Sequence, residues 1–325
     1  MIAVAQVLNT PRGTLLKRIS LGIALGLVVL AQPAFAAVNA VASLASPLDN
    51  AGASARATAM GSAFVGLADD TSALFWNAAG LGGLRSMQVA LHHNSWLGGI
   101  VQETAVLGLP LGSLGGMAAS VNYVNYGLFQ GYDKNGSKTD NYSANRYGFD
   151  VGWGMEVMPN LAAGAALKGA LQSIGGSNYA DAALDLGVLW APRKHLRLGL
   201  AYTNLGTSIA GKSLASDISA GASYLLNFAA TNQLLLSAST TFEPGGINKI
   251  QFGGEDTIDH FLALRLGYQM RLADTQIQDL VGLTAGLGAK LDSWTLDYAF
   301  LPFGDLGSTH RLSLTYEFGR PHKAS

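Results

Sequence analysis

From Arg85 onward the chain alternates large apolar residues with small or polar ones at a period of two, which is the pattern of β-strands. The alternation is clearest from Tyr147 to Val157, where apolar residues at odd positions alternate with Gly, Asp and Glu at even positions. The alternating segments are about ten residues long, the length that a tilted strand needs to cross a bilayer. Each strand therefore has one face that suits lipid and another that suits the lumen of a barrel.

Fourteen such segments predict an all-β, antiparallel transmembrane barrel over residues 85–319, followed by a short tail at 320–325. The predicted strands are 86–93, 101–110, 116–126, 145–157, 161–173, 181–191, 195–204, 216–225, 232–242, 249–257, 260–270, 280–291, 293–300 and 309–318. Short, turn-rich links follow the even strands, whereas most links after the odd strands are longer and more polar, as at 127–144 and 174–180. Outer-membrane barrels have short periplasmic turns and long external loops, so we expect both termini in the periplasm.

The N-terminal residues 1–36 have the features of a secretory signal peptide. Lys17 and Arg18 precede an apolar run at 19–31, and residues 34–36 give the small-x-small pattern of a signal-peptidase site. An apolar run of about 13 residues is too short for a membrane-spanning helix, which needs about 20. We therefore expect cleavage after Ala36.

Composition excludes several functions. The chain is 49% hydrophobic and only 13% charged, and a soluble β-sandwich needs two polar outer faces that so few charges do not readily supply. A formal net charge of −1 gives no case for nucleic acid, and the absence of cysteine removes disulfides and thiolate sites. We expect no enzyme, cofactor or metal site, because nucleophile-elbow and phosphate-loop motifs are missing and the adjacent His92 and His93 point to opposite faces of a strand.

The residues before the strands are patterned neither as a helix nor as a strand throughout. They read ARATAMGSAFVGLADDTSALFWNAAGL from Ala55 to Leu81. This sequence resembles the start of the mature chain in the PorV/PorQ family of outer-membrane proteins, which are relatives of the FadL-type fatty-acid transporters. The resemblance extends more loosely to residues 297–318. In that family the segment is a plug inside a barrel. One departure is Ala78, where the family usually has a proline whose fixed φ stiffens the chain.

The resemblance implies a FadL-like protein of the Gram-negative outer membrane, in contact with its lipid, that takes up hydrophobic small molecules. The alternative that the resemblance implies is a PorV-like component of type IX secretion, which binds exported proteins. The sequence leaves both functions open.

Residues 37–84 are predicted to form this plug (hatch) in the lumen. The large apolar side chains of this segment must pack against other residues. The strand positions that alternate with the apolar ones face the lumen, and they are mostly small, which leaves space for the plug. Asn77 carries both a donor and an acceptor, which suits it to fixing the plug's turn against strand backbone or lumen charges. Asp69 and Asp70 could bind a cation, but Thr71 and Ser72 follow, so capping of a short helix is the better interpretation. The candidate plug residues, which are also possible ligand contacts, are Phe64, Asp69, Asp70, Phe75, Trp76 and Asn77.

The alternation of strand positions places charged residues of both signs in the lumen. They are Lys168, Arg197, Arg265, Lys290 and Arg311, against Asp150, Glu156, Asp185, Asp217, Glu255, Asp297 and Glu317. Five cations against seven anions do not make an ion filter. We expect these charges to pair across strands and to anchor the plug, with Asp297 and Arg311 as one lumen charge pair. The many glycines are interpreted as sites of close backbone approach around the plug.

Overall fold

A computed structural model of the chain describes residues 53–206, 216–228, 231–244, 248–272 and 282–319. The predicted signal peptide at 1–36, the first part of the predicted plug at 37–52 and the tail at 320–325 lie outside the described residues. In these ranges no helix is long and apolar enough to cross a membrane.

Fourteen β-strands follow one another in the described part of the chain, and each overlaps one of the predicted segments. They are β1 (Gln88–Ser95), β2 (Val101–Pro110), β3 (Gly116–Phe129), β4 (Tyr142–Met158), β5 (Leu161–Ile174), β6 (Ser177–Arg193), β7 (Leu196–Gly206), β8 (Asp217–Asn227), β9 (Gln233–Phe242), β10 (Lys249–Ile258), β11 (Leu262–Arg271), β12 (Leu283–Leu291), β13 (Trp294–Pro302) and β14 (Ser308–Glu317). The all-β prediction, with its number of strands, is confirmed.

Neighbouring strands pair antiparallel all the way round, and the pairing of β1 with β14 closes the sheet into a barrel. The closing register places Leu91 opposite Leu314 and Asn94 opposite Arg311. A closed sheet has no free edge, so its backbone groups are paired within the wall, as a hydrocarbon environment requires.

The link between β5 and β6 differs from the prediction of a loop at 174–180. The two strands end and begin at Ile174 and Ser177, so only two residues join them. These residues, Gly175 and Gly176, have φ of 56° and 83°. Two consecutive residues with positive φ make the tight turn whose twist matches that of the strands, and residues 177–180 therefore extend β6.

The wall has an apolar outer face and a small or polar inner face. On β4 the outward Phe149, Val151 and Trp153 are 51%, 48% and 40% exposed, whereas the inward Gly152 and Gly154 are buried. Exposed Leu and aromatic residues recur on the other strands, as at Leu266. An outer surface this apolar around the whole barrel suits lipid and not water.

The plug, defined here as residues 53–84, holds the only helices that precede β1 in the described chain. Helix α1 (Ala55–Ala59) is capped by the Ser54 hydroxyl, which accepts a hydrogen bond from the Ala57 amide. Helix α2 (Ala73–Trp76) is followed by a 3₁₀ turn at Ala78–Gly83. Glycines after each helix keep these elements short.

The hydrophobic core lies between the plug and the barrel wall. Five large apolar side chains of the plug are fully buried, namely Met60, Phe64, Leu67, Leu74 and Leu81. They form one cluster with inward-facing residues of several strands, among them Ala90, Val106, Ala166 and Leu235. Each buried side chain of this size stabilises the fold by about 1.5–3 kcal/mol, so plug and barrel stabilise one another.

Candidate functional site

The plug contacts every strand of the barrel. It shares the hydrophobic cluster with β1, β2 and β3, and α1 packs on Ala299 of β13. Close approaches or hydrogen bonds join it to the remaining strands through Gly154, Gly164, Gly187, Gly199, Ser223, Ser237, Gly253, Gly267, Thr284 and Ser313. A segment that touches all strands of a closed barrel lies in its lumen, as predicted for residues 54–84.

Nine inward glycines form what we call the glycine belt, one on each of nine strands. They are Gly116, Gly154, Gly164, Gly187, Gly199, Gly221, Gly253, Gly267 and Gly286, and a Cβ on any of them would lie within 3.0 Å of a plug atom. The plug contributes glycines too, since Gly61 and Gly66 face strand backbone directly. At seven of these nine positions the nearest plug atom belongs to the backbone, so plug and wall meet there backbone to backbone.

Hydroxyl groups of the wall bind the irregular backbone of the plug. The Thr284 hydroxyl donates to the Ala59 carbonyl at 2.8 Å, and the Ser223 hydroxyl donates to the Gly66 carbonyl at 3.0 Å. The Ser313 hydroxyl accepts from the Ala55 amide at 2.9 Å. Buried backbone groups at the ends of short helices and in irregular segments need such partners, so these side chains allow a largely irregular plug inside the barrel.

Asn77 fixes the end of α2 to the wall and to the rest of the plug. Its side-chain amide donates to the carbonyls of Val65 and of Val188 on β6, both at 3.0 Å. Its side-chain oxygen accepts from the Ala79 amide at 3.2 Å. The side chain fits because Gly187 leaves the facing position of β6 empty. The bond to Val188 is a contact with strand backbone, whereas Val65 and Ala79 belong to the plug itself.

Arg56 is the centre of a chain of ion pairs between plug and wall. Its guanidinium contacts Asp69 at 2.6 Å, Asp70 at 3.0 Å and Glu255 of β10 through two bonds of 2.8 and 2.9 Å. Burial opposes a buried charge, but the carboxylates of Asp69 and Glu255 outweigh it and hold the pKa of Arg56 above its ordinary value. Arg56 therefore stays charged and ties two parts of the plug to β10.

The ion-pair chain continues across the wall from Glu255 to Arg265 at 2.6 Å, and from Arg265 to Asp297 at 2.7 Å. Arg265 lies on β11 and Asp297 on β13, so the contact crosses β12. It does so over Gly288, where a Cβ would come within 2.6 Å of the Asp297 carboxylate. The missing side chain on β12 is what allows the two charges to meet.

The predicted pair of Asp297 with Arg311 is wrong. The register sets Asp297 opposite Ser313 and Arg311 opposite Ala299, so the two are diagonal and not facing. Asp297 binds Arg265 instead, while Arg311 donates to the Thr58 hydroxyl at 2.9 Å and lies 4.4 Å from the ring centre of Trp96. Arg311 still anchors the plug, because Thr58 belongs to α1.

The predicted acidic pair divides its contacts between a turn before α2 and charge pairing, and neither carboxylate caps α2, whose N-cap residue is Ser72. Asp70 accepts hydrogen bonds from the Ser72 amide at 2.8 Å and the Ser72 hydroxyl at 2.5 Å, just before α2 begins. The other oxygen of Asp70 and the carboxylate of Asp69 bind Arg56. In the described ranges no group of three or more His, Cys, Asp or Glu residues could hold a metal ion.

The three predicted aromatic residues lie together inside the plug. Phe64 is fully buried, and its ring centre lies 6.3 Å from that of Trp76. Phe75 is partly buried and packs against the same cluster. Arg56 lies 5.5 Å from the ring centre of Phe64, which joins the aromatic group to the ion-pair chain.

A polar chamber of about 390 Å³ lies between the plug and the short-turn ends of the strands. Its lining includes Arg56, Asp70, Glu255, Arg265, Asp297 and Glu317. Sequence reasoning assigned Glu255 and Arg265 to the lumen but missed Arg56 as the centre of the site. The available signal was a single arginine in an apolar segment, with two acids 13 and 14 residues later.

A closed, apolar-faced barrel whose lumen holds an N-terminal segment is a plugged transmembrane β-barrel. The toluene transporter TodX of Pseudomonas putida is similar at a TM-score of 0.57 and 12% identity, over 80% of this chain and 97% of TodX. The monoaromatic hydrocarbon channel CymD has a TM-score of 0.58 and 12% identity, over 84% and 99%. A FadL homologue of Pseudomonas aeruginosa has 0.50 and 14%, over 83% and 98%.

No protein-family model and no curated protein matches the sequence. The likeness to these structures is one of fold, and the fold of the chain is the fourteen-stranded barrel of the FadL-type channels.

Proposed function

We propose that the protein is an outer-membrane channel for hydrophobic small molecules, with the plug as its gate. The observation that carries the proposal is a lumen closed by a segment that touches every strand, in a barrel of FadL-type fold. TodX and CymD, which share the fold, are a toluene transporter and a monoaromatic hydrocarbon channel. The apolar outer face supports the membrane location.

The plug is held in the barrel by noncovalent contacts, which can break and form again. Hydrogen bonds to wall hydroxyls, the Asn77 amide and the Arg56 ion pairs hold it, and the chain contains no cysteine that could cross-link it. Molecules pass only when part of the plug leaves the glycine belt. The polar chamber beside Arg56 offers space for that movement at the short-turn end.

A disulfide lock tests the gate. Ala59 of α1 packs on Ala299 of β13, so Ala59→Cys with Ala299→Cys should cross-link plug and wall on oxidation. In cells without another toluene channel, we expect the unmodified protein to raise uptake of dilute labelled toluene. Oxidation of the double variant should abolish the gain, and a reductant should restore it. The two single-cysteine variants are the controls, and they should respond to neither treatment.

The outcomes separate the two parts of the proposal. Uptake no greater than in cells without the protein would overturn the transport function for this substrate class. Uptake that is unaffected by a verified cross-link would leave the channel but remove the gate.

The resemblance of residues 55–81 to the PorV/PorQ family favours a second candidate, a PorV-like carrier of exported proteins. Its test is co-purification of a protein secreted by a type IX system with the intact barrel from membranes of an organism that has such a system. Transport of toluene in the absence of any bound protein would favour the channel.

A further inference from the structure

The outer wall carries an ionisable pair where lipid is expected. His93 of β1 and Glu103 of β2 are directly opposed, and the His93 Nδ1 lies 2.7 Å from a Glu103 carboxylate oxygen. Both side chains point away from the lumen and are about half exposed, at 50% and 53%. Charged groups on the lipid face of a barrel are costly, so such a pair marks a functional site.

Residues that are in register on the five strands from β14 to β4 form rows across the outer wall, and the pair belongs to one of these rows. Its own row, in register from β14 to β4, is Leu312, His93, Glu103, Tyr123 and Tyr147. The row on its loop side consists of His310, Ser95, Val101, Asn125 and Asn145, so four of its five members are polar. The pair therefore lies one row inside the border between polar and apolar wall.

The row on the other side of the pair is apolar and hollow. It consists of Leu314, Leu91, Ala105, Val121 and Phe149. Ala105 is small and lies between the larger Leu91 and Val121, so the wall has a trough there. Together the two rows line a groove of about 500 Å³ on the outer surface.

The wall behind the groove is closed. Pairing of β1 with β14 and with β2 runs without a register shift from Gln88 to Ser95, and pairing of β2 with β3 runs in the same way from Val101 to Pro110. The pairing of β3 with β4 shifts register between Asn125 and Gly127, which lie on the loop side of Tyr123 and Tyr147 in the groove. The groove therefore belongs to the membrane face and does not open into the lumen. A ligand would therefore enter this groove from the bilayer.

We propose that this groove binds one phospholipid with a zwitterionic, amine-bearing headgroup. An acyl chain lies in the trough at Ala105, and the headgroup binds His93 and Glu103 at the loop-side end of the trough. The Glu103 carboxylate accepts from the amine, and the second ring nitrogen of His93 hydrogen-bonds to the headgroup. An amine complements the carboxylate of Glu103, whereas a purely anionic headgroup without an amine does not.

The test uses the full chain in bilayers of phosphatidylethanolamine and phosphatidylglycerol, followed by mild delipidation and quantification of the lipid retained. We expect phosphatidylethanolamine to be retained by the unmodified protein. His93→Leu with Glu103→Leu should lose this retention and still fold, because both substitutions place apolar groups on the lipid face. A matched control is Tyr298→Phe with His310→Leu, which removes another outward hydrogen bond outside the groove and should keep the lipid.

Ala105→Phe fills the trough without changing the pair, and it should also lose the lipid. Equal retention in all variants would overturn the site. Equal retention of both lipids by the unmodified protein would overturn the headgroup assignment. A dimer that only the His93 and Glu103 double variant disrupts would show that a second copy occupies the groove, and not a lipid.

Discussion

At the scale of single residues, the glycine belt makes the sharpest prediction. Gly187 faces the Asn77 amide, so Gly187→Ala forces a methyl group against the Asn77 oxygen and disturbs its bonds to Val65 and Val188. We expect the free energy of unfolding to fall by about 1–3 kcal/mol, the usual cost of overpacking. Denaturant titration of the protein in detergent measures it.

The control for this variant is Gly254→Ala. Gly254 is also a strand glycine, but an added Cβ would meet only a Leu236 methyl at ordinary contact distance, 3.7 Å. Its effect should stay within about 0.5 kcal/mol. Equal losses in the two variants would show that strand glycine itself, and not the plug contact, sets the cost.

The Arg56 contact with Glu255 can be measured by a double-mutant cycle. Arg56→Met and Glu255→Gln each remove one partner of a bidentate pair whose side chains are 17% and 9% exposed. We expect a coupling free energy of about 1–3 kcal/mol. The same cycle on Lys249 and Glu243, which are 22% exposed and 3.9 Å apart, should give less than about 1 kcal/mol. A coupling near zero at Arg56 would contradict its role as an anchor.

Residue roles were predictable where the partner is local or is backbone. Asn77 needed only a turn and a nearby strand, and Asp70 needed only the Ser72 that follows it. The partner of Arg56 on β10 lies 199 residues away, so no local pattern identifies it. The partner of Asp297 was not predictable for the same reason. A two-residue offset in register separates it from Arg311, and Gly288 on β12 leaves room for Arg265 to reach it.

At the scale of elements, the link from β3 to β4 is where the orientation of the barrel in the membrane can be tested. Asp133 builds an exposed turn there, since its carboxylate accepts from the amides of Asn135 and Ser137 at 2.8 and 2.9 Å. An epitope inserted at Gly136 should be tolerated and should bind antibody on intact cells. An epitope at Asn160, in the short turn between β4 and β5, should bind only after permeabilisation. The reverse result would invert the proposed orientation.

Strands were predictable because alternation is a local property. A strand that separates lipid from lumen must change character at every residue, and that pattern is visible without knowing its neighbours. The turn at Gly175 and Gly176 was missed because polar residues beyond it, such as Asn178, are compatible with either a loop or an extended strand. Pairing with β5 decided between them.

At the scale of the whole molecule, the plug should control conductance. Deleting residues 54–84 removes the segment that contacts every strand, while the hydrogen-bond ladder of the wall is formed by the fourteen strands alone. We expect a barrel that inserts and conducts ions in planar bilayers, whereas the intact protein conducts little. Heat-modifiable migration on gels confirms that the deleted form is folded. Equal conductance of the two proteins would place the current outside the plugged lumen.

The sequence by itself determined the barrel, its strand number and the apolar outer face, because each follows from a period-two pattern that every strand repeats. It also identified the segment around Phe64, Trp76 and Asn77 as one that needs a place to pack. Only the tertiary structure decided how that place is built, because the glycine belt, the Arg56 ion pairs and the groove beside His93 each bring together residues from strands far apart in the chain. Such contacts depend on register and closure, which are properties of the assembled sheet and not of any one segment.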